Sequence, residues 1–220
     1  MFDISDWPGH VAGQHVVVSP TMPDGTTPAR AFSIGNAPVG TRVELTIELF
    51  AGGAVSPYLV NTIAVGDTIE VMGPIGGWFV WHPEQIEPVQ LIAGGSGIVP
   101  LMAMIRTRRS SGSQAPFRLL YSARSPESVY YRGEFNAFSA ELNPPEIALA
   151  YTRTTPPNSS SPRRIDGNLI AANVFPAERG ATAYVCGPVS FVEAVSALLT
   201  DVGYATDKIR FERFAPSGSG

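Results

Sequence analysis

The sequence contains very little cysteine, since Cys186 is the only one among its 220 residues. A single thiol excludes an internal disulfide bond, and it excludes an iron–sulfur cluster held by cysteines of this chain. A long hydrophobic run is also missing, because no apolar stretch reaches the roughly 20 residues of a membrane-spanning helix. The start "MFDISDWPGH" has neither the basic nor the apolar region of a signal peptide. We therefore expect a cytoplasmic protein with no membrane partner and no metal site.

Positive charge is scarce as well. Lysine and arginine total 15 against 19 acidic residues, and the net charge is −4. Nucleic-acid binding requires a clustered basic surface, so we expect no nucleic-acid partner. The hydrophobic content of 44% and the charged content of 15% are typical of a globular protein with a real core. The length allows one large domain or two small ones.

The first part of the chain, up to residue 85, has the pattern of short β-strands separated by turns. The segments "GQHVVVS", "RVELTIELF" and "DTIEVMG" are rich in β-branched residues, and loops rich in proline and glycine separate them. This spacing predicts a small antiparallel β-barrel. One short helix is predicted at "SPYLVNTI", with Ser56 as its N-cap and Pro57 as its first helical residue.

From residue 86 onwards, predicted strands alternate with predicted helices. The strands are "PVQLIAGG", "PFRLLYSAR", "EIALAYTR", "ATAYVCGP" and "KIRFERF", and the helices are "IVPLMAMIRTRR", "YRGEFNAFSAEL" and "VSFVEAVSALLTDVG". Such alternation predicts a parallel, doubly wound sheet of the nucleotide-binding kind. The sequence therefore predicts two domains, 1–85 and 86–220.

The segment "GGSGIVP" has two of the three glycines of a dinucleotide-binding loop, Gly95 and Gly97, but Pro100 stands in the third position. Proline is compatible with the first turn of a helix, because its missing N–H would have no partner there. The free amides of such a turn can face a phosphate group. Taken alone, the cluster fits a plain strand–helix turn equally well.

Six motifs in a fixed order resemble the ferredoxin–NADP reductase superfamily. They are "RAFSIGNAP" from Arg30, "GGAVSPYL" from Gly52, "GPIGGWF" from Gly73, "GGSGIVPLMAMI" from Gly94, "YVCGP" from Tyr184 and "ERF" from Glu212. The resemblance is strongest to stand-alone bacterial FAD-binding ferredoxin reductases and to the reductase modules of oxygenases. It implies an N-terminal antiparallel flavin-binding β-barrel followed by a doubly wound parallel-sheet nucleotide-binding domain. In this family the nucleotide loop carries the proline.

The resemblance assigns the flavin-binding half of the site. Arg30 would bind a flavin phosphate, Phe32 would pack on the ring, and Ser33 would hydrogen-bond near N5. A guanidinium suits a phosphate, and an aromatic face suits a flat ring, so these roles are physically reasonable. A pyrophosphate site is implied at Gly53, Val55 and Ser56, and it favours FAD over FMN.

The resemblance also assigns the hydride-transfer half. Cys186 would lie beside the nicotinamide, and Glu212 and Phe214 would lie close to the flavin, so the implied catalytic residues are Ser33, Cys186 and Glu212. The other implied dinucleotide-binding residues are Gly95, Ser96, Gly97, Pro100, Gly187 and Pro188. No general base is needed, because the cofactors carry the chemistry. His10, His15 and His82 therefore receive no catalytic role.

The predicted choice between NADPH and NADH depends on one threonine and a few arginines. Thr152 and Arg153 stand where NADP-using relatives carry Ser-Arg, and Arg124 is placed to reach the pyrophosphate or ribose. Arg163 and Arg164 are interpreted equally well as solvated loop residues. We expect NADPH as the cofactor, with NADH still possible.

The implied activity is that of a flavoprotein reductase that takes hydride from NAD(P)H and passes electrons to a separate acceptor. A ferredoxin, a flavodoxin, an oxygenase, or free flavin and oxygen are all open as acceptors. The alternative is a non-catalytic flavin- or nucleotide-binding subunit that regulates a larger oxidoreductase. The cluster "RTRR" could dock an acidic partner, although cations are expected at a helix C-terminus in any case. Family members usually carry a further strand ahead of Trp7, so we expect an incomplete barrel or an earlier native start.

Overall fold

The computed structural model describes residues 1–50, 52–138, 143–157, 159 and 161–214. Its first half is antiparallel and contains β1 (Phe2–Asp3), β2 (His15–Ser19), β3 (Arg30–Ser33), β4 (Arg42–Val43), α1 (Val55–Asn61) and β5 (Glu70–Ile75). One sheet has the order β3-β2-β5, and β1 pairs with β4 in a second sheet. Alternate residues of β2, Val16 and Val18, enter a core that also contains Ile34 and Leu59. The predicted antiparallel architecture is confirmed.

The second half is a parallel sheet with helices between its strands. Its elements are β6 (Val89–Gly94), α2 (Ile98–Ser111), β7 (Phe117–Ala123), α3 (Arg132–Phe138), β8 (Glu146–Tyr151), α4 (Gly167–Asn173), β9 (Thr182–Pro188), α5 (Val189–Asp201) and β10 (Ile209–Phe214). The strand order is β10-β9-β6-β7-β8, and every pairing is parallel. All five predicted strands are present, and their carboxyl ends therefore meet along one edge of the sheet.

Helices cover both faces of this sheet. Leu91 and Ala93 of β6 share a core with α2, whereas Ile92 packs into a second core with α4 and α5. Successive residues of a strand point to opposite faces, so the two cores lie on opposite sides of the sheet. The predicted doubly wound arrangement is confirmed. In the described part of the chain, no helix is long and apolar enough to cross a membrane.

Three local predictions need correction. The segment "RVELTIELF" forms a strand only at Arg42–Val43, followed by an isolated bridge between Leu45 and Ile34. Its partner β1, which precedes Trp7, pairs with Arg42 and Val43 through Asp3 and Phe2. Ser56 is not an N-cap and Pro57 is not the first helical residue, because α1 already begins at Val55.

One helix of the structure is not predicted from the sequence, and another predicted helix extends past the described residues. No helix is predicted at α4, although Asp166 caps it by accepting a hydrogen bond from the Leu169 amide at 2.8 Å. An aspartate just ahead of an apolar run is a recognisable helix start. The predicted helix "YRGEFNAFSAEL" corresponds to α3, and residues 139–142 of the prediction lie outside the described residues.

The two halves share one packed core. Ala12, Phe79 and Trp81 of the first half belong to the same buried cluster as β6, α2 and β7. The Tyr184 hydroxyl of β9 donates to the Val80 carbonyl at 2.9 Å. The boundary at residues 85 and 86 stays a prediction, but the contact between the halves is extensive and apolar.

Arg106 of α2 forms the main polar contact between the halves. Its guanidinium donates to the Gly35 carbonyl at 2.6 Å and to Glu44 Oε1 at 2.7 Å, both in the first half. It also pairs with Glu134 of α3 and lies over the Tyr131 ring. These two carboxylates raise the pKa of Arg106 further above its usual range, although burial acts in the opposite direction.

The suggestion that "RTRR" forms a docking patch is therefore wrong for two of its three arginines. Arg106 is engaged with Glu44 and Glu134. Arg108 is buried, and it donates to the carbonyls of Ala115 and Asn143. Neither guanidinium is available to an incoming protein.

We expect Arg106→Met to lower the free energy of unfolding by about 2–3 kcal/mol, because two carboxylates lose their shared cation. The loss stays below that of a fully buried network, since the Glu134 side chain is 34% exposed. Urea denaturation measures the change, with the exposed Arg164→Met as control. Equal stability of the two variants would contradict this view of Arg106.

Candidate functional site

The glycine-rich turn and the Cys-Gly-Pro segment meet at the carboxyl edge of the sheet. A short 3-10 turn over Gly95–Gly97 connects β6 to α2. A Cβ atom on Gly97 would lie 2.2 Å from the Cys186 carbonyl oxygen, so only glycine fits there. Gly95 has a left-handed φ of +57° with open space around it, and Ser96 is half-buried. Pro100 is buried in the first turn of α2, as predicted.

Backbone hydrogen bonds connect the loops that follow β7 and β8. The Thr152 amide donates to the Ala123 carbonyl at 3.0 Å, and the Arg153 amide donates to the Arg124 carbonyl at 2.9 Å. The structure thus brings Arg124, predicted to reach the pyrophosphate or ribose, beside Thr152 and Arg153, which are predicted to decide the nicotinamide cofactor. The side chains of Arg124 and Arg153 are exposed. The Arg163 amide bonds to the Tyr151 carbonyl at 2.8 Å, which holds Arg163 beside the same strand end. Arg164 is exposed.

A cavity of about 660 Å³ adjoins these loops. It lies between α3, the end of β8 and the loop after β8, and its wall includes Arg132, Phe135, Tyr151 and Thr154. The cavity thus offers an apolar ring and polar groups to a ligand at this edge of the sheet.

The three residues predicted to hold the flavin lie along β3. Arg30 is exposed and donates to the neighbouring Ala29 carbonyl, and within the described chain it forms no ion pair. Phe32 lies opposite Val16 and packs against the barrel core. Ser33 ends the strand half-buried, opposite His15 of β2.

The predicted pyrophosphate segment is closely folded on itself. The Ser56 hydroxyl accepts a hydrogen bond from the Phe50 amide at 3.0 Å, and the Gly53 amide donates to the Phe50 carbonyl. The Phe50 ring lies against Gly53, 3.3 Å from the position of a Cβ atom there. Val55 is buried at the start of α1. The Ser56 hydroxyl is therefore already used by the backbone in this conformation.

Cys186 and Glu212 lie side by side on neighbouring parallel strands. They are register partners in β9 and β10, and Phe214 is the partner of Pro188. The Cys186 side chain is only 1% exposed. Burial and the nearby Glu212 carboxylate both raise the pKa of the thiol, so Cys186 stays protonated at neutral pH. Gly187 packs against Phe191 of α5.

Glu212 also connects the two halves of the molecule. Its Oε1 atom lies 3.3 Å from Nδ1 of His15, whose strand neighbour is Ser33. Of the residues predicted to be catalytic, Ser33 is the strand neighbour of His15 and Glu212 contacts it, while Cys186 lies beside Glu212 in the sheet. His15 is not among the residues predicted to be catalytic, because nothing in the sequence around it indicates a contact with Glu212.

Two family models match most of the chain. The oxidoreductase FAD-binding domain matches residues 7–80, and the oxidoreductase NAD-binding domain matches residues 91–197. Fold and site thus define a two-domain protein of the class that combines a flavin-binding and a nicotinamide-binding domain. The chain belongs to the ferredoxin–NADP reductase superfamily.

Individual relatives agree with this family. The reductase component of the naphthalene 1,2-dioxygenase/salicylate 5-hydroxylase systems of Ralstonia sp is 29% identical over 192 residues, which cover 86% of this chain and 57% of that protein. The chain spans about half the length of the curated relatives that it matches.

Solved structures show the same fold. The flavohem-like FAD/NAD binding domain of nitric oxide dioxygenase from Vibrio cholerae superposes with a TM-score of 0.82 at 22% identity, covering 94% of this chain and 86% of that one. A ferredoxin NADP+ reductase from Neisseria gonorrhoeae with bound FAD and NADP has a TM-score of 0.77 at 22% identity, covering 93% and 87%.

The residues present fit these cofactors. Glu212 Oε2 is buried, and no hydrogen-bond partner for it exists among the described residues, so a donor from a bound ring would satisfy it. The Arg30 guanidinium can pair with a phosphate, because no carboxylate of the described chain competes for it. The open space at Gly95 admits a phosphate against the backbone.

We expect Gly97→Ala to lower the free energy of unfolding by about 1–3 kcal/mol, because the new methyl group overlaps the Cys186 carbonyl. The displaced turn should also bind a dinucleotide more weakly. Gly133→Ala is the matched control, since a Cβ atom there meets no atom within 4 Å. Denaturation and NADP+ titration measure both effects, and a Gly97→Ala variant that behaves like the control would refute the close approach.

Proposed function

We propose that the protein is an NAD(P)H-dependent flavoprotein reductase that delivers electrons to a separate redox acceptor. The observation that carries the proposal is the contact between His15 of the first half and Glu212 of the second, because Ser33 neighbours His15 and Cys186 neighbours Glu212 in their respective sheets. A protein that only bound a nucleotide would not need polar groups from both halves at the same point. The family supports the same activity.

The proposed binding role of each residue follows from the half of the molecule in which it lies. The first half would hold FAD, with Arg30 at a phosphate and Ser33 at the edge of the ring. The second half would hold the nicotinamide cofactor, with the turn Gly95–Gly97 at its pyrophosphate and with Arg124 and Arg153 towards its adenosine. Bound FAD supplies the chemistry, because it accepts hydride from the nicotinamide and releases electrons to the acceptor.

The chain's own contribution is orientation and exclusion of water. The two halves share a packed core, so residues that hold the two rings are fixed relative to one another. Cys186 offers a small, neutral thiol where a nicotinamide must approach closely. Glu212 offers a carboxylate oxygen that is shielded from water. Phe214, at the carboxyl end of β10, packs against the core cluster that contains Cys186.

We further propose NADPH as the preferred donor. Thr152 and Arg153 follow β8, and the exposed Arg153 guanidinium would pair with a 2′-phosphate. The Neisseria gonorrhoeae reductase of the same fold holds FAD and NADP. The acceptor we propose is a redox protein such as a ferredoxin, a flavodoxin or an oxygenase component, because several relatives are reductase components of oxygenase systems.

Anaerobic mixing with NADPH tests the activity directly. The FAD-loaded protein should lose its yellow absorbance, and a redox acceptor added afterwards should restore it. A flavin that stays oxidised in the presence of excess NADPH and NADH would exclude a reductase and would favour the regulatory subunit.

Arg30→Ala should weaken FAD binding by about 1.5–3 kcal/mol, because it removes a charge-assisted contact to a phosphate. Flavin fluorescence titration measures the dissociation constant. Arg42→Ala, another exposed arginine of the same half, is the control and should bind FAD normally. If Arg30→Ala retains the affinity of the control, Arg30 does not belong to the flavin site.

Arg153→Ala should raise KM for NADPH roughly ten- to a hundredfold and leave KM for NADH nearly unchanged, since the 2′-phosphate is its expected partner. The contact is remote from the nicotinamide and acts on ground and transition states alike, so kcat should barely change. Steady-state kinetics with both donors measure the difference. Equal losses for NADPH and NADH would mean that Arg153 does not recognise the 2′-phosphate.

A further inference from the structure

His15 is held firmly at the point where the two halves meet. It lies on β2, the central strand of its sheet, between Ser33 of β3 and Ile75 of β5. The pairing with β5 is irregular between His15 and Val17, which marks a bulge. Bulges change the direction of a side chain relative to a regular strand. The His15 side chain reaches Glu212 on the other half of the molecule.

Glu212 has one contacted and one uncontacted carboxylate oxygen. Oε1 lies 3.3 Å from His15 Nδ1, whereas Oε2 is buried and has no hydrogen-bond partner in the described chain. An unpaired buried oxygen is costly unless a ligand satisfies it. This oxygen belongs to the residue that neighbours Cys186 in the sheet.

The nearby arginine on the same side of β10 is already engaged elsewhere. Arg210 donates to the carbonyls of Trp78 and Val80 and to the Tyr184 hydroxyl. Within the described chain, the Glu212 carboxylate has a short contact with the His15 ring. The His15 and Glu212 side chains are 24% and 28% exposed, so solvent screens this contact less than it would at an open surface.

We propose that His15 is a positioning residue for Glu212: its ring fixes one carboxylate oxygen and thereby keeps the other in place for the bound cofactors. This inference rests on the proposed function, because it concerns the same site. His15 itself takes no part in hydride transfer. Its effect on the reaction passes through the Glu212 carboxylate.

The contact can be tested on the protein without any cofactor. Long-range ¹H–¹⁵N spectra of the imidazole rings report the state of each ring nitrogen. Glu212→Gln should shift the ¹⁵N signals of the His15 ring and leave those of His10 and His82 unchanged. Glu193→Gln, at a surface pair with Arg213, is the matched control and should shift none of them. Identical His15 signals in wild type and Glu212→Gln would overturn the proposal.

The effect on the reaction is tested by anaerobic stopped-flow reduction of the FAD-loaded protein. His15→Leu should lower the limiting rate roughly tenfold with little change in NADPH affinity, since one contact to a charged group is lost. His15→Asn, which keeps a polar nitrogen near the position of Nδ1, should recover most of the rate. His82→Leu, at an exposed histidine, is the control and should react like wild type.

A double variant separates positioning from mere structural support. In the Glu212→Gln background, His15→Leu should cause little further loss, because the group that it positions is already changed. If the rate losses of the two single variants multiply in full in the double variant, the proposal is overturned. Failure of the wild-type flavin to be reduced would instead refute the proposed function, and the cofactor-free spectra would still decide whether His15 contacts Glu212.

Discussion

The site depends above all on the contact that Arg106 makes between the two halves. Arg106 lies on α2, the helix that begins directly after the glycine turn, and its guanidinium reaches the carbonyl of Gly35. Gly35 lies two residues beyond Ser33, at the end of the proposed flavin strand. A helix is a rigid spacer, so one side chain fixes the nucleotide turn relative to the flavin strand. Glu44 and Glu134 hold that side chain in place.

The close approach of Gly97 to Cys186 completes this arrangement within the second half. It brings the start of α2 against the end of β9, and β9 in turn aligns Cys186 with Glu212 on β10. Glu212 in turn contacts His15 of the first half. The polar residues of the site are thus connected to each other by short contacts along the line where the halves meet.

The sequence predicts the regular elements well, because periodicity and turn residues are local properties. Four strands of the parallel sheet follow from largely apolar runs that end in glycine or a loop, and the fifth, β10, follows from the alternating segment "KIRFERF". "RVELTIELF" misled because an alternating pattern is local, whereas a strand also requires continuous pairing, which here covers Arg42 and Val43 and an isolated bridge at Leu45. The prediction of Ser56 as an N-cap was wrong because its hydroxyl accepts a hydrogen bond from the Phe50 amide, a contact that depends on how the loop folds.

Contacts between the two halves cannot be predicted from local sequence patterns. Nothing local to Arg106 indicates that Gly35 and Glu44 will surround it, and the arginine therefore resembled an ordinary cation at a helix C-terminus. His15 is likewise an unremarkable residue of an alternating strand until β10 is placed beside it. The candidate site residues could be identified through family motifs, whereas the residues that position them required the fold.

A crystal structure of the protein with bound FAD and NADP+ tests the central claim most directly. We predict that the Ser33 hydroxyl and Glu212 Oε2 both contact the edge of the flavin ring system, with Cys186 beside the nicotinamide site and Glu212 still held by His15. A flavin ring bound away from Ser33 and Glu212 would contradict the account, because the residues brought together by the two halves would then not form the site of hydride transfer.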